Sequence, residues 1–214
     1  MPVLDSNKYA IALHTSTPFL GIAINNYGGD SRSQVWDLGR GLASQLHHYL
    51  VKMIEPQTWQ DLKFIAVAKG PGGFTGTRVG VVTARTIAQQ LEIPLFGISN
   101  LAAVAIAHYK LGDQPRYVAV EMDARREQMF VAIYQISSRG LQTYLADTLM
   151  TIETWQQTLN QLPFAYELIT TDDHIAKTVG NVLDLAYSAW QEGKHPHWSE
   201  IVPYYGQHPV TTNL

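Results

Sequence analysis

The sequence predicts an α/β protein of two related lobes with mixed sheets, and three observations predict it. Short apolar runs alternate with amphipathic stretches of helical period. A wholly apolar run, Phe64 to Ala68, ends in the glycine-rich segment GPGGFTG, Gly70 to Gly76. The order of elements then begins again near Tyr117.

Tyr9 to Leu13 and Leu20 to Ile24 are apolar runs separated by HTSTPF, and the turn NNYGGD leads to a third strand near Gln34 to Leu38. Leu42, Leu46, Tyr49, Leu50 and Met53 then recur at i, i+4, i+7, i+8 and i+11, which makes an amphipathic helix. Phe64 to Ala68 suits a strand covered on both faces. The glycine segment launches a helix to about Leu91, Pro94 to Ile98 is a fifth strand, and Ser99 or Asn100 caps a helix from Leu101 to Tyr109. The second half repeats the order. Tyr117 to Met122, the turn DARRE, Met129 to Gln135 and a strand around Thr143 to Thr148 precede a helix from Thr151 to Leu162, a strand from Tyr166 to Thr170 and a helix from Val179 to Gln191. Three strands and crossovers, twice over, is the layout of the actin and Hsp70-like (ribonuclease H-like) ATPases, with an expected division into lobes at 1–110 and 111–214.

At 214 residues the chain can bury a core without staples, and with no cysteine it holds neither a disulfide nor a thiolate site. A net charge of −3 with 15% charged residues offers no broad cationic field for nucleic acid, so any contact with tRNA is expected to be indirect. The start, MPVLDSNKY, lacks a basic segment followed by an apolar one, and no run approaches about 18 apolar residues. A cytoplasmic protein without membrane contact is expected.

Glycines 70, 72, 73 and 76 allow positive φ and close approach, Pro71 fixes one turn residue, and Thr75 is placed to cap the helix. A P-loop would close with Gly-Lys-Ser/Thr, where the chain has Gly76, Thr77 and Arg78; a dinucleotide fingerprint would need glycine where Thr75 stands. The helix beyond is more informative. Gly76, Gly80, Ala84 and Ala88 fall four apart in a stripe of minimal side chains, which suits either close packing inside the protein or close approach by a helix of a second protein.

The stretch GPGGFTGTRVGVVTARTIAQQLEIPLFGIS, Gly70 to Ser99, resembles the marker of the TsaB (YeaZ) family, with Gly73 in place of a serine. IALHTST (Ile11 to Thr17), MDARREQMFVAIY (Met122 to Tyr134) and PYY (Pro203 to Tyr205) extend the resemblance over most of the chain, with little signal from Thr143 to Glu200. The resemblance implies an actin-like fold and a non-catalytic scaffold that pairs with a catalytic TsaD-like subunit, joined by a TsaE-like ATPase. The complex would transfer threonylcarbamoyl to the adenosine beside the anticodon in tRNAs reading codons that begin with A. It implies no tightly bound cofactor, ATP being used by the complex, and a pairing surface on the helix near Leu42 to Met53 and the helix after the glycine loop. Leu42, Leu46, Phe74, Thr75, Gly76, Gly80, Ala84 and Ala88 are the expected interface residues, and a sticky helix face also allows a homodimer of the free chain. Thr15, Ser16, Thr17 and Arg78 are the residues that would touch a nucleotide or anion.

Three positions depart from the family pattern. His14 stands where an aspartate is usual, and a neutral imidazole is a poor magnesium ligand. Leu42, Ala43 and Ser44 replace His-Ser-Glu, and Gln207 replaces an arginine. No catalytic residue is expected, and no metal site: His47 and His48 are helical neighbours pointing about 100° apart, and His195-Pro-His197 lies outside any carboxylate pattern. Asp123, Arg125, Arg126 and Glu127 read as a solvated turn that lacks the glycine a phosphate loop would use. The alternative from a different class is an active actin-fold ATPase or small-molecule kinase, which magnesium-dependent ATP turnover by the isolated chain would favour.

Overall fold

A computed structural model of the chain describes residues 3–109 and 114–206. The first sheet is built from β1 (Tyr9–His14), β2 (Phe19–Asn25), β3 (Ser31–Asp37), β4 (Leu62–Ala68) and β5 (Leu95–Ile98), in the order β3-β2-β1-β4-β5. β1, β2 and β3 form an antiparallel meander, while β4 runs parallel to β1 and β5 parallel to β4. β1 is buried along its whole length because helices cover both of its faces. The pleat sorts its side chains: Ile11 and Leu13 pack with Leu46 and Leu50 of α1 (Leu42–Ile54) and Val81, Ala84 and Ala88 of α2 (Phe74–Leu91). Ala10 and Ala12 face Val182, Leu183 and Ala186 of α5 (Val179–Gln191).

The second sheet repeats the plan with β6 (Arg116–Arg125), β7 (Gln128–Ser137), β8 (Gly140–Thr151) and β9 (Tyr166–Thr170), ordered β8-β7-β6-β9 with β9 parallel to β6. Trp155 and Leu159 of α4 (Ile152–Asn160) cover Ala119, Val131 and Ile133 on one face. Leu101 and Val104 of α3 (Asn100–Ala107) cover Val118, Val120 and Ala132 on the other. The molecule is thus layered as α1 and α2, first sheet, α3 and α5, second sheet, α4. This is the actin-like arrangement of two meander-plus-crossover lobes. Division near residue 110 separates the two sheets, yet each sheet is covered on its inner face by a helix from the other half of the chain.

Local chemistry sets most boundaries. Ser99 caps α3, its hydroxyl accepting from the amides of Leu101 at 3.1 Å and Ala102 at 3.3 Å. Thr151 caps α4 by accepting from Thr154 N at 3.1 Å. Thr75 does not cap α2: the helix starts one residue earlier, at Phe74, so Thr75 lies inside its first turn and Gly73 precedes it without a side-chain cap. β8 is another departure from expectation. It runs over twelve residues, from Gly140 to Thr151, because it pairs along nearly the whole of β7. No described helix is long and apolar enough to cross a membrane.

Candidate functional site

The glycine loop connects β4 to α2 and is held from three sides. Asn100, at the start of α3, donates its backbone N–H to Gly70 O at 2.9 Å and its side-chain amide to Pro71 O at 2.7 Å. The segment after α5 crosses the loop, where Tyr204 N–H donates to Lys69 O at 2.7 Å. From the β1–β2 turn, Ser16 O accepts from Gly73 N–H at 2.7 Å. Gly70 holds φ +103°, a left-handed conformation that glycine adopts without strain.

Thr15 then fills the groove along α2. Its hydroxyl donates to Gly76 O at 2.8 Å. A Cβ on Gly76 would lie 2.0 Å from Thr15 O, and one on Gly80 would lie 2.1 Å from Thr15 Oγ1. The stripe of small residues is therefore internal packing. Leu46, Ala84 and Ala88 are fully buried, Leu42 nearly so, and Gly80 is buried, so these five expected interface positions are covered by the chain itself. Thr15 and Ser16 are covered in the same way. Both are buried among the groups just named, while Thr17 accepts from Phe19 N at 3.3 Å.

What α2 does expose is a second stripe. Phe74 is 45% exposed and Val82 56%, and Arg78 lies between them with its guanidinium 5.6 Å from the Phe74 ring centroid. Thr75 is exposed beside them, and Tyr205 packs on Phe74 at 4.9 Å between centroids. On the adjoining helix α1, Val51 is 50% exposed, with His47 and His48 also outward. Of the expected interface residues, Phe74 and Thr75 thus lie on the surface, and Val51 and Val82 are the exposed apolar groups that a search for small residues missed. Their signal is their position, since each sits on the outward side of a helix whose other face is already accounted for.

Two further groups lie in the turns singled out in the sequence. His14, at the end of β1, is wholly buried with neither ring nitrogen hydrogen-bonded in the described residues, and burial lowers its pKa from 6.5 to about 3, so the ring is neutral. The β6–β7 turn is a tight hairpin in which Arg125, Arg126 and Glu127 all hold positive φ, of 65°, 52° and 57°. Asp123 steadies it by accepting from Arg125 N at 2.8 Å. The turn forms without glycine, and its two arginines stand exposed at the tip. Gln207, the third departure noted above, lies outside the described residues.

The chain is thus a five-layer actin-like α/β protein whose glycine loop is packed from within and whose following helix turns an apolar stripe outward. Comparison with known proteins narrows it further. Residues 53–190 match the family model described as TsaD, tRNA N6-adenosine threonylcarbamoyltransferase. The chain is 36% identical over 104 residues to the tRNA threonylcarbamoyladenosine biosynthesis protein TsaB of Bacillus subtilis (strain 168), covering 48% of this chain and 43% of that one. It is 33% identical over 81 residues to TsaB of Escherichia coli (strain K12), covering 38% and 35%. The matches thus span less than half the length of these relatives. YeaZ from Pseudomonas aeruginosa shares the fold over 92% of this chain and 100% of its own, with a TM-score of 0.75 at 22% identity. The chain belongs to the family that this model describes, and within it to the TsaB (YeaZ) group.

Proposed function

We propose that this chain serves tRNA threonylcarbamoyladenosine formation as a non-catalytic partner, pairing with a TsaD-like catalytic subunit through the outward faces of α1 and α2. The observation that carries the reading is the division of α2 into two faces. Its small residues Gly76 and Gly80 are closed against Thr15, while Phe74, Arg78 and Val82, four residues apart, stand exposed, and Val51 is exposed on α1. Apolar groups rimmed by polar ones on a preformed helix pair suit a protein contact. A buried neutral His14 and a groove filled by Thr15 and Ser16 leave the first turn without a magnesium ligand or room for a phosphate. ATP is accordingly used by the assembled complex with its TsaE-like ATPase, and tRNA is met mainly by the partner subunit.

The test is reconstitution. Added to TsaD-like and TsaE-like subunits with threonylcarbamoyl-adenylate and tRNA, the chain raises modification, and alone it turns over no ATP in magnesium buffer. Absence of stimulation would sink the proposal, and ATP turnover by the isolated chain would favour a kinase-like enzyme instead.

A further inference from the structure

Between the two sheets lies an open cavity of about 420 Å³, within the range of roughly 300–1,000 Å³ common for small-molecule sites. It is separate from the exposed stripe of α2, and elements of both lobes build it: the ends of β4 and β5, α3, β7, β8, α5 and the segment after α5. Its apolar walls are Ile98, Ala102, Leu141 and Leu185, and two groups of opposite charge, Lys69 and Asp147, also line it.

Asp147 is held firmly by one oxygen only. Its Oδ1 accepts from Ser99 Oγ at 2.8 Å and Tyr134 Oη at 3.0 Å, and Oδ2 has no donor among the described residues. Burial raises its pKa, against the lowering effects of the Ser99 and Tyr134 hydrogen bonds and of the Lys69 charge. Lys69 nevertheless forms no ion pair with Asp147 or any other described residue. Its stem crosses Gly97, where a Cβ would lie 3.2 Å from Lys69 Cδ, so glycine at that position leaves the lysine its path. Tyr204 fixes both backbones at once, donating its N–H to Lys69 O at 2.7 Å and its hydroxyl to Asp147 O at 2.9 Å. A carboxylate oxygen and an ammonium that have no partner among the described residues and line one partly apolar cleft offer charge-assisted hydrogen bonds to a ligand with both complementary charges.

We propose that this cavity binds a small zwitterion of the α-amino acid class with an apolar side chain. Its ammonium meets Asp147 Oδ2, its carboxylate meets Lys69, and its side chain lies on Ile98, Ala102, Leu141 and Leu185. The experiment is a titration of the isotope-labelled full chain with L-leucine, followed by NMR. The expected result is saturable shifts confined to amides near Lys69, Ser99, Asp147 and Tyr204. L-leucinamide, which lacks the carboxylate, and 4-methylpentanoate, which lacks the ammonium, are expected to bind at least about tenfold more weakly. Lys69→Met keeps the stem, and Asp147→Asn keeps an oxygen for Ser99 and Tyr134; each is expected to weaken leucine by about tenfold or more while the chain stays folded. No saturable shifts, shifts elsewhere, or equal binding of the two singly charged analogues would overturn the assignment, and the analogue comparison stands even if a variant does not fold.

Discussion

Gly76 and Thr15 show how one missing methyl fixes the geometry of the site. Because a Cβ at 76 would collide with a backbone oxygen rather than a flexible side chain, Gly76→Ala is expected to destabilise the fold by about 1 to 3 kcal/mol, read from urea unfolding. Gly80→Leu, which the sequence alone would assign to a lost partner contact, is expected to cost stability as well, since Thr15 occupies the space. His14 makes a prediction about acid. Its folded pKa of about 3 lies below the unfolded value of 6.5, so between these limits the unfolded chain binds more protons and stability falls as pH falls. The loss approaches about 1.4 kcal/mol per pH unit within that window. In His14→Leu, the stability difference between about pH 7 and about pH 5 is expected to shrink; an unchanged difference would show that other groups govern the acid response.

At the scale of the element, α2 was half legible in the sequence. The four-residue spacing of Gly76, Gly80, Ala84 and Ala88 revealed a face made for close approach, but spacing cannot say whether the approaching backbone belongs to the same chain. The answer depended on the β1–β2 turn, a contact of 61 residues' separation between Thr15 and Gly76 that no local pattern encodes. With that face closed, the exposed stripe becomes the one to test. Val82→Asp is expected to change folding stability by no more than about 0.5 kcal/mol, since the side chain is mostly in solvent. The same change is expected to weaken association with a TsaD-like subunit by roughly tenfold, about 1.4 kcal/mol, in calorimetry. Unaltered affinity with the fold intact would remove α2 from the contact. β8 was read too short for a related reason: its ends, Gly140 to Gln142 and Leu149 to Thr151, are of mixed composition, and pairing with β7 makes them strand.

Across the whole molecule, the repeat of strands and crossovers was legible because alternating and continuous apolar runs carry their period in the sequence, and Tyr166–Thr170 and Val179–Gln191 match their expected bounds. The exchange of helices was not, since nothing in Leu101 to Ala105 or Val179 to Trp190 names the sheet that each will cover. That exchange predicts that residues 1–110 expressed alone lack cooperative unfolding, because Ala10, Ala12, Phe64 and Ala66 lose the cover of α5. A sharp urea transition in that fragment would show that the first lobe is self-sufficient. The central claim, that this chain works by pairing, is met most directly by titrating the full chain into a purified TsaD-like subunit in a calorimeter. Saturable binding at one chain per subunit is the predicted result, and no association between the two folded proteins would contradict it.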